Sequence, residues 1–206
     1  MISTMKGKCL IGLFCVLPLE YITARFGNQD FGSFALFSLD DDPGDTFVVS
    51  MFIRTKQSSG LLLTLANSTS QYLRLWLEEG QIKVQVNNFE SLVGQSSVSN
   101  GHFHLVMVKL EDRTVALYQS GHSQGTIPIR PVLAQSGDLV YVGGLADQRA
   151  TASFGGYFKG CVQDLRINSR PLQFFPITTP VGSFKLEQLT NVTHGCTSDN
   201  ACSVSL

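Results

Sequence analysis

The stretch that decides the fold is GGYFKGCVQDLRIN, Gly155 to Asn168. Its glycines punctuate a turn, and the turn runs into a strand-like segment, Cys161 to Ile167, that carries one cysteine. A second cysteine, Cys196, stands near the end of the chain. This pattern points to an extracellular β-domain closed by a terminal disulfide.

Working outward, the chain reads as strands with very little helix. Ile82, Val84 and Val86 alternate with Gln81, Lys83, Gln85 and Asn87, the period of two of a half-buried strand. Upstream, Leu73, Leu75 and Leu77 alternate with Arg74, Trp76 and Glu78. Glu79-Gly80 supplies a tight turn between them, so Tyr72 to Val86 reads as a β-hairpin. Phe47 to Arg54 and Leu61 to Leu65 are apolar runs separated by Gln57-Ser58-Ser59-Gly60, which predicts a second hairpin. Further strands fit Phe103 to Leu110, Val115 to Tyr118 and Leu139 to Val142. Many short strands at regular spacing, with Gly, Ser, Asn and Asp between them, predict an antiparallel sandwich.

Composition limits the function. The chain has 206 residues, 43% of them hydrophobic, enough for one sizeable core. With 15 basic and 16 acidic residues the formal charge is −1, and without a Lys/Arg run nothing argues for nucleic acid. No nucleophile elbow and no phosphate loop occurs, so the expectation is a non-enzymatic protein that meets other proteins or glycans.

The two ends differ from the body. Lys6 and Lys8 precede the apolar run Cys9 to Leu19, which fits a secretory leader over residues 1–22. A buried strand, or a segment of a longer parent, is the alternative reading of that run. It falls short of the roughly 18 apolar residues of a membrane span. Of the five cysteines, Cys9 and Cys15 lie in the leader, leaving Cys161, Cys196 and Cys202. Two sequons, Asn67-Ser68-Thr69 and Asn191-Val192-Thr193, mark Asn67 and Asn191 as candidate glycosylation sites and agree with an extracellular location.

The segments resemble those of a laminin G-like domain, in that family's order, over Thr23 to Cys196. The stretch Phe47–Asn67, FVVSMFIRTKQSSGLLLTLAN, resembles the family's early Arg-Thr and Gly-Leu-Leu strands. Tyr72–Asn87 and Gly101–Gly121 resemble the two strand pairs that follow, and Leu139–Gly144 followed by Gly155–Asn168 is the most specific match. The finer wording is similar to the ectodomains of Crumbs proteins, which alternate laminin G-like domains with EGF-like modules. The resemblance implies an all-β jelly-roll sandwich of two antiparallel sheets, with Cys161 paired to Cys196. It also implies that residues 197–206, with DNACSVS and Cys202, open a truncated EGF-like module. The implied role is extracellular and non-catalytic: cell adhesion and apical polarity, with a cell-surface or matrix protein or glycan, or a second copy, as partner. A lectin-like domain and a ligand-free spacer are the alternatives.

Four groups of residues are candidates for chemistry. Many laminin G-like domains hold calcium at one rim, and the positions that the resemblance assigns to it read Gln71 and Gln135, with Asn88 near a carbonyl position. Neutral amides are poorer ligands for a hard dication than carboxylates, so the expectation is a degenerate rim and no cofactor. Asp40-Asp41-Asp42-Pro43-Gly44-Asp45 lacks EF-hand spacing and reads as a solvated turn. His102 and His104 are two apart, without the further ligands zinc needs. Tyr72, Arg74 and Trp76 should share one strand face by alternation, which makes them either core or a candidate binding patch.

Overall fold

Apolar side chains at every second position can be buried together only if the strand lies flat against a core. The computed structural model describes residues 23–27, 32–111, 113–175 and 184–196 and shows that arrangement. The expected leader and the expected EGF-like start lie outside the described residues. In chain order the strands are β1 (Thr23–Phe26), β2 (Phe34–Leu39), β3 (Phe47–Arg54), β4 (Gly60–Ala66) and β5 (Gln71–Glu78). There follow β6 (Gln81–Val86), β7 (Glu90–Val93), β8 (Phe103–Glu111), β9 (Thr114–Gln119), β10 (His122–Pro128) and β11 (Leu139–Val142). A short helix α1 (Gln148–Ala152) precedes β12 (Gly160–Ile167), β13 (Arg170–Pro171), β14 (Phe184–Thr190) and β15 (Thr193–His194).

The strands form two sheets in which neighbouring named strands run antiparallel. One has the order β10-β9-β8-β3-β12-β1-β15, with β13 on β12, and the other β14-β2-β11-β4-β5-β6-β7. Their inner faces enclose one apolar core. Within it the Phe174 ring meets Phe26 at 5.8 Å and Phe37 at 5.5 Å, both edge-on, and Phe158 packs on Phe26 at 6.2 Å. All four rings are fully buried, together worth roughly 6–12 kcal/mol of apolar transfer.

The hairpin expected over Tyr72–Val86 is present as β5 and β6. Glu79 at φ 53° and Gly80 at φ 79° supply the two left-handed residues of its turn. The hairpin expected from Phe47–Arg54 and Leu61–Leu65 is not formed. β3 lies between β8 and β12, and β4 lies between β5 and β11 in the other sheet. Each strand thus has both edges occupied, and residues 55–59 cross between the sheets. Thr55 Oγ1 donates to Lys159 O at 2.7 Å and Gln57 Nε2 to Tyr157 O at 3.3 Å, pinning that crossover.

The stretch Gly155–Asn168 reaches both sheets: Tyr157 bridges to Leu61 of β4, and β12 pairs with β3 and β1. Gly160 has φ 156°, and a Cβ there would lie 2.4 Å from Arg54 O, so the backbones touch because the side chain is missing. One residue on, Cys161 is bonded to Cys196 with Cα atoms 6.1 Å apart.

Candidate functional site

The strand registers separate the sandwich into two ends. One end carries Arg54, Gly60, Gly143 and the Cys161–Cys196 bridge. The opposite end gathers three connections: Asn67–Ser70 between β4 and β5, Asn87–Phe89 between β6 and β7, and the segment Arg130–Asp138. Asn87 Nδ2 donates to Arg130 O at 3.2 Å, tying two of them together. Asn87 and Asn88 adopt φ 51° and 66°, a left-handed pair that Asn tolerates and that turns the chain tightly into β7. Gln71, Asn88 and Gln135 all fall at this end.

Two of them meet around Arg74. Its Nε donates to Gln71 Oε1 at 2.8 Å, and its Nη1 donates to Gln85 Oε1 at 3.1 Å and to Asn88 Oδ1. The guanidinium also lies over the Phe154 ring, 5.4 Å from its centroid. Three neutral amide oxygens and an aromatic face therefore surround one half-buried cation, and burial lowers the Arg74 pKa from its ordinary value. Gln135 is not part of this set. Its backbone N–H donates to Asp138 Oδ2 at 3.0 Å.

Tyr72, Arg74 and Trp76 do not share a face. The β4–β5 register slips between Leu65 and Ala66, which pair with Leu73 and Gln71, so Tyr72 is the extra residue of a bulge. The bulge turns Tyr72 into the main core beside Leu73. There its hydroxyl donates to Asp138 Oδ2 at 2.9 Å, and burial, then the Asp138 charge, pushes its pKa upward. Arg74 and Trp76 remain on the outer face of β5, under a separate cover. Leu61, Trp76 and Leu145 form a second buried cluster with Tyr141, Ala150 and Phe154 against it. Phe154 meets Trp76 edge-on at 5.4 Å. Helix α1 holds that cover: Asp147 accepts from Arg149 N and Ala150 N at its start, and buried Thr151 Oγ1 donates to Asp147 O at 2.8 Å. Trp76 is 9% exposed, so it belongs to a packed layer rather than to an open patch.

The two sequons are placed differently. Asn67 is exposed, and its Oδ1 accepts from Thr69 N and Ser70 N at 2.9 and 2.8 Å in the rim turn. Asn191 is half-buried, with its Nδ2 donating to Gly32 O at 2.8 Å. In the acidic run, Asp42 accepts from Ser136 N and Asp41 pairs with Arg170, so these carboxylates tie the loop down. His104 bonds Asn100 at 2.8 Å, and among the described residues no group of three His, Cys, Asp or Glu could hold a metal ion.

Comparison with known proteins assigns the scaffold. The family described as Laminin G domain matches residues 53–170, more than half of the chain. The chain belongs to the laminin G domain family. It is 42% identical to mouse protein crumbs homolog 1 over 89% of its length, and 34% identical to human protein crumbs homolog 2 over 89%. It spans 13% of the length of each of these relatives. Among solved structures it resembles domains LG4-5 of the mouse laminin alpha1 chain, with TM-score 0.69 and 17% identity, over 94% of this chain and 49% of that one.

The polar groups at the rim of this laminin G domain are largely engaged with one another. The Gln71 and Asn88 oxygens already accept from a guanidinium, Gln135 faces Asp138 through its N–H, and Asp138 accepts from Tyr72. Phe154 and Asp138 are not singled out by the sequence, and Arg74 is singled out only as a strand-face residue, because each acts across strands or between loops. Phe89 left a readable signal: an aromatic directly after Asn-Asn in a turn has no core to enter.

Proposed function

We propose that this laminin G domain is an extracellular, non-catalytic recognition module that serves apical polarity and cell–cell contact. It binds a cell-surface or matrix protein or glycan, or a second copy of itself, through the rim opposite the disulfide. The observation that carries this reading is the apolar exposure of that rim. Phe89 is 76% and Leu133 57% exposed, the two most exposed large hydrophobic side chains among the described residues. The Arg130 guanidinium lies 5.6 Å from the Phe89 ring centroid. Aromatic and arginine side chains dominate interface energetics, and a solvent-facing Phe contributes nothing to the core. The Cys161–Cys196 bridge ties the chain at the far end, leaving this rim unobstructed by it. Similarity to the Crumbs homologs supports the cellular setting.

The test is binding of the purified chain to epithelial cell surfaces, with self-association followed by sedimentation. Phe89→Ala should weaken the interaction by about tenfold, the effect of a central anchor of modest size. A wild-type chain that neither self-associates nor binds cells would sink the proposal. Unchanged binding by Phe89→Ala together with Leu133→Ser would remove the rim from it.

A further inference from the structure

We infer that Arg74 is a built-in cation, and that it makes the recognition rim independent of calcium. The inference deepens the rim reading above and rests on it for its functional meaning, but it can be tested without any ligand. Side-chain oxygens from the start of β5 (Gln71), from β6 (Gln85) and from the β6–β7 turn (Asn88) converge on one point at the end of the sheet. Convergent neutral oxygens of that kind are a cradle for a positive charge. Here the charge is supplied covalently. A guanidinium stays protonated under physiological conditions even when burial lowers its pKa, and its planar fork offers several donors at fixed angles. One group therefore satisfies the three amides that a metal ion would otherwise need to satisfy.

Placement makes the arrangement durable. Arg74 is half-buried on the outer face of β5 near the rim end of that strand, which is paired on both edges by β4 and β6. Phe154 covers its planar face, which removes water from one side and adds a cation–π contact. A divalent ion entering the same cradle would have to take the Gln71 and Asn88 oxygens from the guanidinium and sit beside a fixed like charge in a partly desolvated place. The rim thus keeps the order that a cation gives its loops, without exchange with the medium. Because the charge is fixed, recognition at Phe89 and Leu133 nearby persists where calcium is scarce.

The experiment is thermal unfolding of the full chain in millimolar calcium and in chelator, with circular dichroism to verify folding. The wild type should give the same Tm in both. Gln71→Asp with Arg74 retained should remain insensitive to calcium, because the guanidinium still occupies the cradle. Gln71→Asp combined with Arg74→Ala vacates the cradle and adds a hard ligand, and its Tm should rise by several degrees on adding calcium. Terbium luminescence excited through aromatic side chains reads the same gain even if the double variant is less stable. A calcium-dependent rise in wild-type Tm that Gln71→Ala abolishes would overturn the inference. So would a calcium response in Gln71→Asp while Arg74 is present, or a folded double variant that binds neither calcium nor terbium. A calcium-insensitive wild type that binds no cell surface and does not self-associate would count against the rim as a recognition surface and leave the role of Arg74 intact.

Discussion

Tyr72→Phe is the substitution that most directly tests the bulge between β4 and β5. Tyr72 is 4% exposed, and its hydroxyl makes a 2.9 Å hydrogen bond to the Asp138 carboxylate, whose same oxygen accepts from Gln135 N. Removing the hydroxyl deletes a hydrogen bond to a charged acceptor, worth about 1.5–3 kcal/mol near neutral pH. The same pair fixes the sign of a pH effect. Burial first, and the Asp138 charge second, raise the Tyr72 pKa well above the ordinary value of 10.0. The folded state therefore keeps a proton that the unfolded state surrenders as pH climbs past about 10. Tyr72 lends its full stabilisation below that pH. Above it the contribution falls by about 1.4 kcal/mol per pH unit. Phenylalanine has no proton to lose, so the wild-type advantage should close one to two units higher, at roughly pH 11–12. Urea denaturation of both proteins between neutral and strongly alkaline pH, followed by circular dichroism, gives the two curves. Other tyrosines and lysines titrate in both proteins and cancel in the difference. Curves that stay parallel would refute the argument, because Tyr72 would then be titrating as it does in an unfolded chain.

Three further outcomes follow from the same geometry. Trp76 is the only tryptophan, so Phe154→Ala should shift its emission to the red and increase acrylamide quenching by uncovering the outer face of β5. The double variant Cys161→Ala/Cys196→Ala should lose about 4 kcal/mol of stability to urea, the loop-closure value for a sequence separation of 35. Peptide mapping of the chain expressed through a secretory pathway should find a glycan at Asn67, whose amide faces solvent. At Asn191 it should find little or none, because the Nδ2 that would carry the sugar is bonded to Gly32 O.

The strands were legible wherever one face of a sheet meets the core and the other meets water. β6 and β11 fall where alternation predicts them, because burial along them follows a strict period of two. Alternation fails in β4, which is buried on both faces because the helix α1 layer covers its outer side. Edge strands such as β10 (HSQGTIP) and β14 (FKLEQLT) bury too little to show a pattern that alternation can pick out. Nor does periodicity reveal a bulge. One extra residue at Tyr72 moved an aromatic from the outer face into the core, and it split a trio that alternation had placed together. The crossover at residues 55–59 was missed for a related reason. Local turn chemistry cannot tell a hairpin from a connection between sheets; the partners waiting on either side decide it.

The cover over β5 and the rim are one mechanical unit. Phe154 touches Trp76 with its edge and Arg74 with its face, so the residue that seals the buried layer also holds the rim cation in place. Phe154 stands just past Ser153, the residue that caps α1, and α1 is held by Asp147 and Thr151. A change in that helix, far from the rim in sequence, therefore reaches Gln71, Gln85 and Asn88 through two contacts. An exposed cation–π contact is worth about 0.5–1 kcal/mol, and each bond from the guanidinium to an amide oxygen about 1.5–3 kcal/mol. The amides thus fix where Arg74 sits, while Phe154 biases its plane. Thr151→Val, which keeps the shape and removes the hydroxyl that bonds Asp147 O, should accordingly loosen α1 more than it loosens the rim. Hydrogen exchange would show faster opening at Thr151 and Phe154, with Asn87 and Asn88 close to unchanged.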